Sequence, residues 1–147
     1  MTYHSRILFA AAGCLLACTL AYFAGNSTGQ EKKVTAPRLY ELRTYTTEPG
    51  RLDALNARFR NHTLKLFEKH GMRNEMYWVP TDPALSKNTL IYVVSHESEA
   101  AAKKSWDAFR ADPEWIKARD ASEKDGKIVA GLTSVYMTPT DYSPAGK

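Results

Sequence analysis

The chain has 147 residues, enough for one domain of ordinary size or for a smaller domain behind an N-terminal address, and too few for two independent cores. Hydrophobic residues at 44% and charged residues at 24% exclude a wholly disordered chain and a polytopic membrane protein, and 8 Gly with 7 Pro exclude collagen-like and low-complexity classes. The formal charge of +4 is spread along the chain, and its densest cluster, Arg51 to Lys69, alternates with apolar residues as a solvated helix face does, so nucleic acid is not expected as a partner.

Residues 1–24 read as a signal peptide or an N-terminal membrane anchor. A short start whose one charge is Arg6 precedes an uncharged, apolar run from Ile7 to Ala24, where a mitochondrial transit peptide would be Arg-rich and amphipathic. Three outcomes compete. Thr19-Leu20-Ala21 supplies small residues for ordinary cleavage; Leu15-Leu16-Ala17-Cys18 resembles a lipobox in which Cys18 is acylated; and the run reaches the length of roughly 17 to 25 residues that spans a bilayer. The expected location is exported, periplasmic or membrane-associated, with membrane contact through this segment. Both cysteines, Cys14 and Cys18, lie within it, so the folded part has no disulfide or thiolate chemistry. Residues 25–37 lack an apolar period and read as a flexible linker.

Arg38 to Thr46 alternates aromatic and β-favouring residues with polar ones, and Glu48-Pro49-Gly50 stops it, which predicts a strand. From Arg51 to His70, Leu52, Leu55, Phe59, His62 and Leu66 fall at steps of three and four, which predicts one amphipathic helix closed by Gly71. Strands follow over Gly71 to Pro80 and Asn88 to His96, joined through Thr81-Asp82-Pro83. Ser98 to Arg110 is predicted helical with Trp106 and Phe109 buried. Asp112-Pro113 restarts a helix with a cap residue and Pro at its first position, and Gly126 ends it. Leu132 to Met137 is the last predicted strand; Pro139 onward is polar, with 143–147 a polar tail. The fold class is α+β, a ferredoxin-like βαββαβ antiparallel sheet with helices on one face. Both alternating sets on its strands carry large residues, as Leu90, Tyr92 and Val94 do against Ile91 and Val93, so the second face needs a cover, most economically an identical sheet.

Tyr40-Glu41-Leu42-Arg43-Thr44-Tyr45, then Pro49-Gly50, Lys69-His70-Gly71, Asp112-Pro113-Glu114-Trp115 and Pro139-Thr140-Asp141-Tyr142 occur in an order that resembles the NIPSNAP family over 38–142. The resemblance implies a homodimer in which two ferredoxin-like subunits pair their sheets as a dimeric α/β barrel. It implies little about a reaction, because the wider superfamily holds small monooxygenases, haem-degrading enzymes, chlorite dismutases and isomerases. Eukaryotic members are associated with mitochondria and with recruitment of autophagy proteins. This chain departs from them in reading as one domain behind an export signal, and that role is not carried over.

Within the domain, the helical period places His62 on the face that looks toward the sheet, where an imidazole serves as a general base, ligates a haem iron, or is a hydrogen-bonded core group. His70 precedes the helix stop and reads as a capping cation, and His96 closes a strand at an exposed position. No two histidines have the spacing of a helix-borne metal site, so no metal is expected, and no cofactor beyond the haem that His62 would ligate. Glu41, Arg43 and Tyr45 share one side of the first strand, either as a polar cluster that orients a ligand or as a buried ion pair; Trp78 belongs to a ligand wall or to the core. Two functions are carried forward. One is a homodimer that binds a small apolar ligand or acts as a scaffold. The other is a monooxygenase-like or isomerase-like enzyme acting on a small apolar ring compound, with His62 as base and Arg43, Tyr45 or Trp78 positioning it.

Overall fold

The computed structural model describes residues 37–144. The expectations for residues 1–24, among them acylation at Cys18, and for the linker through residue 36 lie outside the described residues. The elements run β1 (Leu39–Thr47), α1 (Leu52–Arg58), a π-helical turn (Phe59–Thr63), α2 (Leu64–Lys69), β2 (Arg73–Trp78), β3 (Thr89–His96), α3 (Glu99–Ala111), α4 (Pro113–Ser122) and β4 (Val129–Met137). The four strands form one sheet in the order β2-β3-β1-β4, with every adjacent pair antiparallel, which is the expected ferredoxin-like arrangement.

Residues opposite each other in the ladders share a face. Glu41, Arg43 and Tyr45 stand beside Val94, Tyr92 and Leu90 of β3, and beside Tyr136, Ser134 and Leu132 of β4. Beneath the helices, Leu55, Phe67, Met72, Tyr92, Val94 and Ile128 are almost completely buried. Removing a side chain such as that of Phe67 from water stabilises the fold by about 2 kcal/mol. Its ring meets Phe109 at 5.0 Å and Trp106 at 5.2 Å, edge to face, so the core is largely an aromatic cluster.

The opposite face also carries Leu42, Ile91 and Val93, half-buried by their sheet neighbours, with Met76, Trp78 and Val135 exposed. No element of the described residues packs across it.

Local chemistry accounts for the boundaries. The Ser98 side chain accepts from Ala101 N–H at 3.1 Å at the start of α3, and Asp112 accepts from Glu114 N–H at 2.7 Å at the start of α4, where Pro113 takes the first helical position. Gly71, at φ 78, adopts the left-handed conformation that lets Met72 N–H close back on the Phe67 carbonyl at 2.9 Å. β4 begins at Val129, three residues before the predicted start, because Gly131 and Ala130 interrupt the apolar alternation while the backbone still pairs with β1 past a register shift at Thr46/Thr47.

The predicted single helix from 51 to 70 is continuous but not α-helical throughout. The π-turn accommodates an extra residue, and the Thr63 hydroxyl bonds the carbonyl of Arg58, five residues back, at 3.3 Å. That slip moves the buried stripe from His62 to Thr63, so His62 is exposed and Thr63 is only 1% exposed.

Candidate functional site

The expected polar set on β1 exists and is larger than the sequence suggested. The Glu41 side chain, 2% exposed, accepts four hydrogen bonds. Oε1 accepts from Arg43 Nη1 at 2.6 Å and Ser134 Oγ at 2.5 Å; Oε2 accepts from Trp106 Nε1 at 2.6 Å and His96 Nε2 at 3.0 Å. Burial alone raises the pKa of a carboxyl group, but the bonds from His96, Ser134, Trp106 and Arg43 outweigh it and hold Glu41 at about 2. The carboxylate is therefore ionised and accepts only, which makes His96 Nε2 a donor.

Arg43 stacks its guanidinium on the Trp106 ring at 4.1 Å and lies 5.6 Å from the Tyr45 ring centre. Burial works against its charge, and Tyr92, Tyr45 and Glu41 around it more than offset that and raise its pKa. One carboxylate thus ties β1 to β3, β4 and α3. All four acceptor positions are filled, so Glu41 has no lone pair aimed at an incoming proton, and the arrangement is suited to holding the sheet and α3 in register.

His96 is a correction. Expected to be exposed at a strand end, it is completely buried, with Glu41 bonded to it and the rings of Trp106 on α3 and Tyr136 on β4 each 6.4 Å from its own. Its Nδ1 and the Nε of Arg43 are buried without a hydrogen-bond partner. His62 is the second correction. The π-turn points it to solvent, away from the sheet, where it borders a shallow cavity of about 140 Å³ with Asn61, Lys65, Lys69 and Glu114. A base or haem ligand between helix and sheet cannot come from this position. His70 caps the end of α2, and its Nε2 pairs with Asp112 at 2.7 Å. Lys69 and His70 together hold the Asp112 carboxyl well below the usual carboxylate range.

Arg43 and Tyr45 are brought together, but Trp78 is not brought to them. It lies at the end of β2 and lines a separate cavity of about 290 Å³ with Phe59, Leu64, Leu90, Asn56 and Arg60. Between the two places stands a tyrosine stack: Tyr77 lies on Tyr92 with ring centres 5.3 Å apart, and Tyr45 meets Tyr92 edge-on at 5.3 Å. Burial raises the pKa of both Tyr77 and Tyr92, so these phenols stay protonated. Among the described residues no group of three or more His, Cys, Asp or Glu is arranged to hold a metal ion, and no helix is long and apolar enough to cross a membrane.

A family model described as NIPSNAP matches residues 40–144. No curated protein matches the sequence. Among solved structures, a NIPSNAP family protein of unknown function from Agrobacterium tumefaciens is 18% identical and superposes with a TM-score of 0.63, over 74% of this chain and 94% of that one. An uncharacterized NIPSNAP-like domain protein from Burkholderia xenovorans is 16% identical with a TM-score of 0.63, over 73% and 89% of the two chains. A further NIPSNAP family protein from Agrobacterium tumefaciens is 17% identical with a TM-score of 0.63, over 73% and 97%.

Proposed function

The chain belongs to the NIPSNAP family, and we propose that it acts as an exported or membrane-anchored homodimer that binds a small apolar ligand without transforming it. The observation that carries this reading is the uncovered apolar face of the sheet. Leu42, Ile91, Val93 and Val135 form a row across β3, β1 and β4, and Met76 and Trp78 extend it over β2. A contiguous apolar surface of this kind is rarely left open by a monomer, and a second copy offers the same surface in return. The uncharged run from Ile7 to Ala24 supports export.

The enzyme reading rested on His62 facing the sheet, and the exposed position of His62 removes that support. The Glu41 cluster does not replace it, because its carboxylate already accepts from four donors.

Light scattering on the purified protein at micromolar concentration tests the dimer. A dimer is expected for the wild type and a monomer for Val135→Asp, which puts a charge at the β4 end of the apolar row. A monomeric wild type overturns the reading.

A further inference from the structure

The cavity at the end of β2 has features that a gap in packing does not require. It opens to solvent, its walls are mostly apolar, and Asn56, Arg60 and Tyr77 are lining residues with polar side-chain groups. We propose that this cavity binds a small aromatic carboxylic acid of one ring or two fused rings, with Arg60 holding the carboxylate. The proposal rests on the ligand-binding reading above and refines it, adding a carboxylate to the apolar body of the ligand.

The first argument is the state of Arg60. Every other described arginine has a partner: Arg43, Arg58, Arg73, Arg110 and Arg119 each form an ion pair, Arg38 bonds Ser95, and Arg51 bonds the carbonyls of Ser122 and Gly126. Arg60 alone among them has none, and the Asn56 side chain makes no hydrogen bond either. A guanidinium at the mouth of an apolar cavity offers a fork of donors matched to a carboxylate.

The second argument is the backbone. The π-turn begins at Phe59 and Arg60, two consecutive residues that both line the cavity. Neighbouring residues of an α-helix diverge too widely to face one site, and the wider turn reduces that divergence. Such turns are less stable than α-helix and recur at functional sites. Here the turn lets one side chain wall the cavity while the next carries charge to its rim.

The third argument is shape. Phe59 and Trp78 are among the residues that line the cavity, and Leu64 and Leu90 complete an apolar wall. A volume of about 290 Å³ lies at the small end of ligand sites, so it holds one or two rings and not a long acyl chain. An offset or edge-on ring contact with Trp78 and Phe59 favours an aromatic over an alkyl acid.

The test is calorimetric titration of the full-length chain with 2-naphthoate, benzoate, the neutral 2-naphthamide and hexanoate. Naphthoate is expected to bind at least about tenfold more tightly than its amide and more tightly than hexanoate. Arg60→Gln, an exposed change that leaves the fold intact, should weaken naphthoate about tenfold and leave the amide unchanged, and Leu64→Trp, which fills the cavity, should abolish both. Equal affinity for acid and amide, unchanged naphthoate binding in Arg60→Gln, hexanoate binding as tightly as naphthoate, or no binding of any probe would overturn the assignment. Light scattering on the same samples keeps the two proposals apart. A dimer that ignores naphthoate sinks the ligand class alone, and a monomer that binds it sinks the dimer alone.

Discussion

His96 Nε2 donates to Glu41 Oε2 at 3.0 Å, between two side chains that are 0% and 2% exposed. They are 55 positions apart in the chain, and the contact joins β3 to β1, with Trp106 of α3 donating to the same carboxylate oxygen. With Trp106, Arg43 and Ser134 completing the shell, the carboxylate is the point at which sheet and helix layer are fastened.

The fastening has a pH signature. The folded carboxyl of Glu41 at about 2 lies below its ordinary value of 4.5, so the unfolded chain binds the proton more readily. Its contribution is complete above about 4.5 and is lost as pH falls through that window toward 2; it amounts to about 3 kcal/mol. Denaturant unfolding between pH 7 and pH 2 should show stability falling below about pH 4.5. Glu41→Gln should be less stable at pH 7 by about 3 kcal/mol and nearly flat across the acid window. A wild type and variant with parallel pH profiles would show that the carboxylate is not the titrating fastener.

Much of the fold was legible because its signals are local. Period-two alternation in Tyr40 to Tyr45, the cap-and-proline pair Asp112-Pro113 and the stop at Gly71 each depend on neighbours in the chain, and each element appears within a few residues of its expected place. The side shared by Glu41, Arg43 and Tyr45 was legible for the same reason. His96 and Ser134 were not, because only the sheet register brings them to Glu41. The π-turn was hidden by a coincidence. Leu52, Leu55, Phe59, His62 and Leu66 fit an α-helical stripe, whereas the buried set after the turn is Thr63, Leu66 and Phe67. The one hint was the adjacent pair Leu66-Phe67, whose second member falls four residues after Thr63.

If the open sheet face pairs with a second copy, folding and association are linked, and thermal stability depends on concentration. Diluting the protein a hundredfold should lower its melting temperature by several degrees. Val135→Asp should melt at a temperature independent of concentration and below that of the wild type. A concentration-independent wild type would mean that the apolar row is left uncovered in solution.

The fate of the N-terminus is settled by intact mass on the protein isolated from its native host. A start at Cys18 with acyl mass marks a lipoprotein, a start near Tyr22 marks ordinary cleavage, and an intact Met1 in the membrane fraction marks an anchor. A full-length product in the soluble cytosolic fraction would remove the export proposal. Because the described residues contain no cysteine, reductant should leave the melting temperature of the domain unchanged.

The π-turn makes a sharp prediction at two adjacent residues. On an uninterrupted α-helix the buried position would be His62 and Thr63 would face outward; with the turn present, Thr63 is 1% exposed and bonds the Arg58 carbonyl, while His62 is exposed. His62→Ala should therefore change stability by less than about 0.5 kcal/mol, as an ordinary surface substitution does. Thr63→Ala should cost about 1 to 2 kcal/mol, since it removes a buried methyl group and leaves the Arg58 carbonyl without its hydroxyl donor. Urea unfolding of the two variants side by side reads this directly. A large loss for His62→Ala with little for Thr63→Ala would mean that the helix runs as regular α-helix through this stretch, and would put the imidazole back against the sheet as a base.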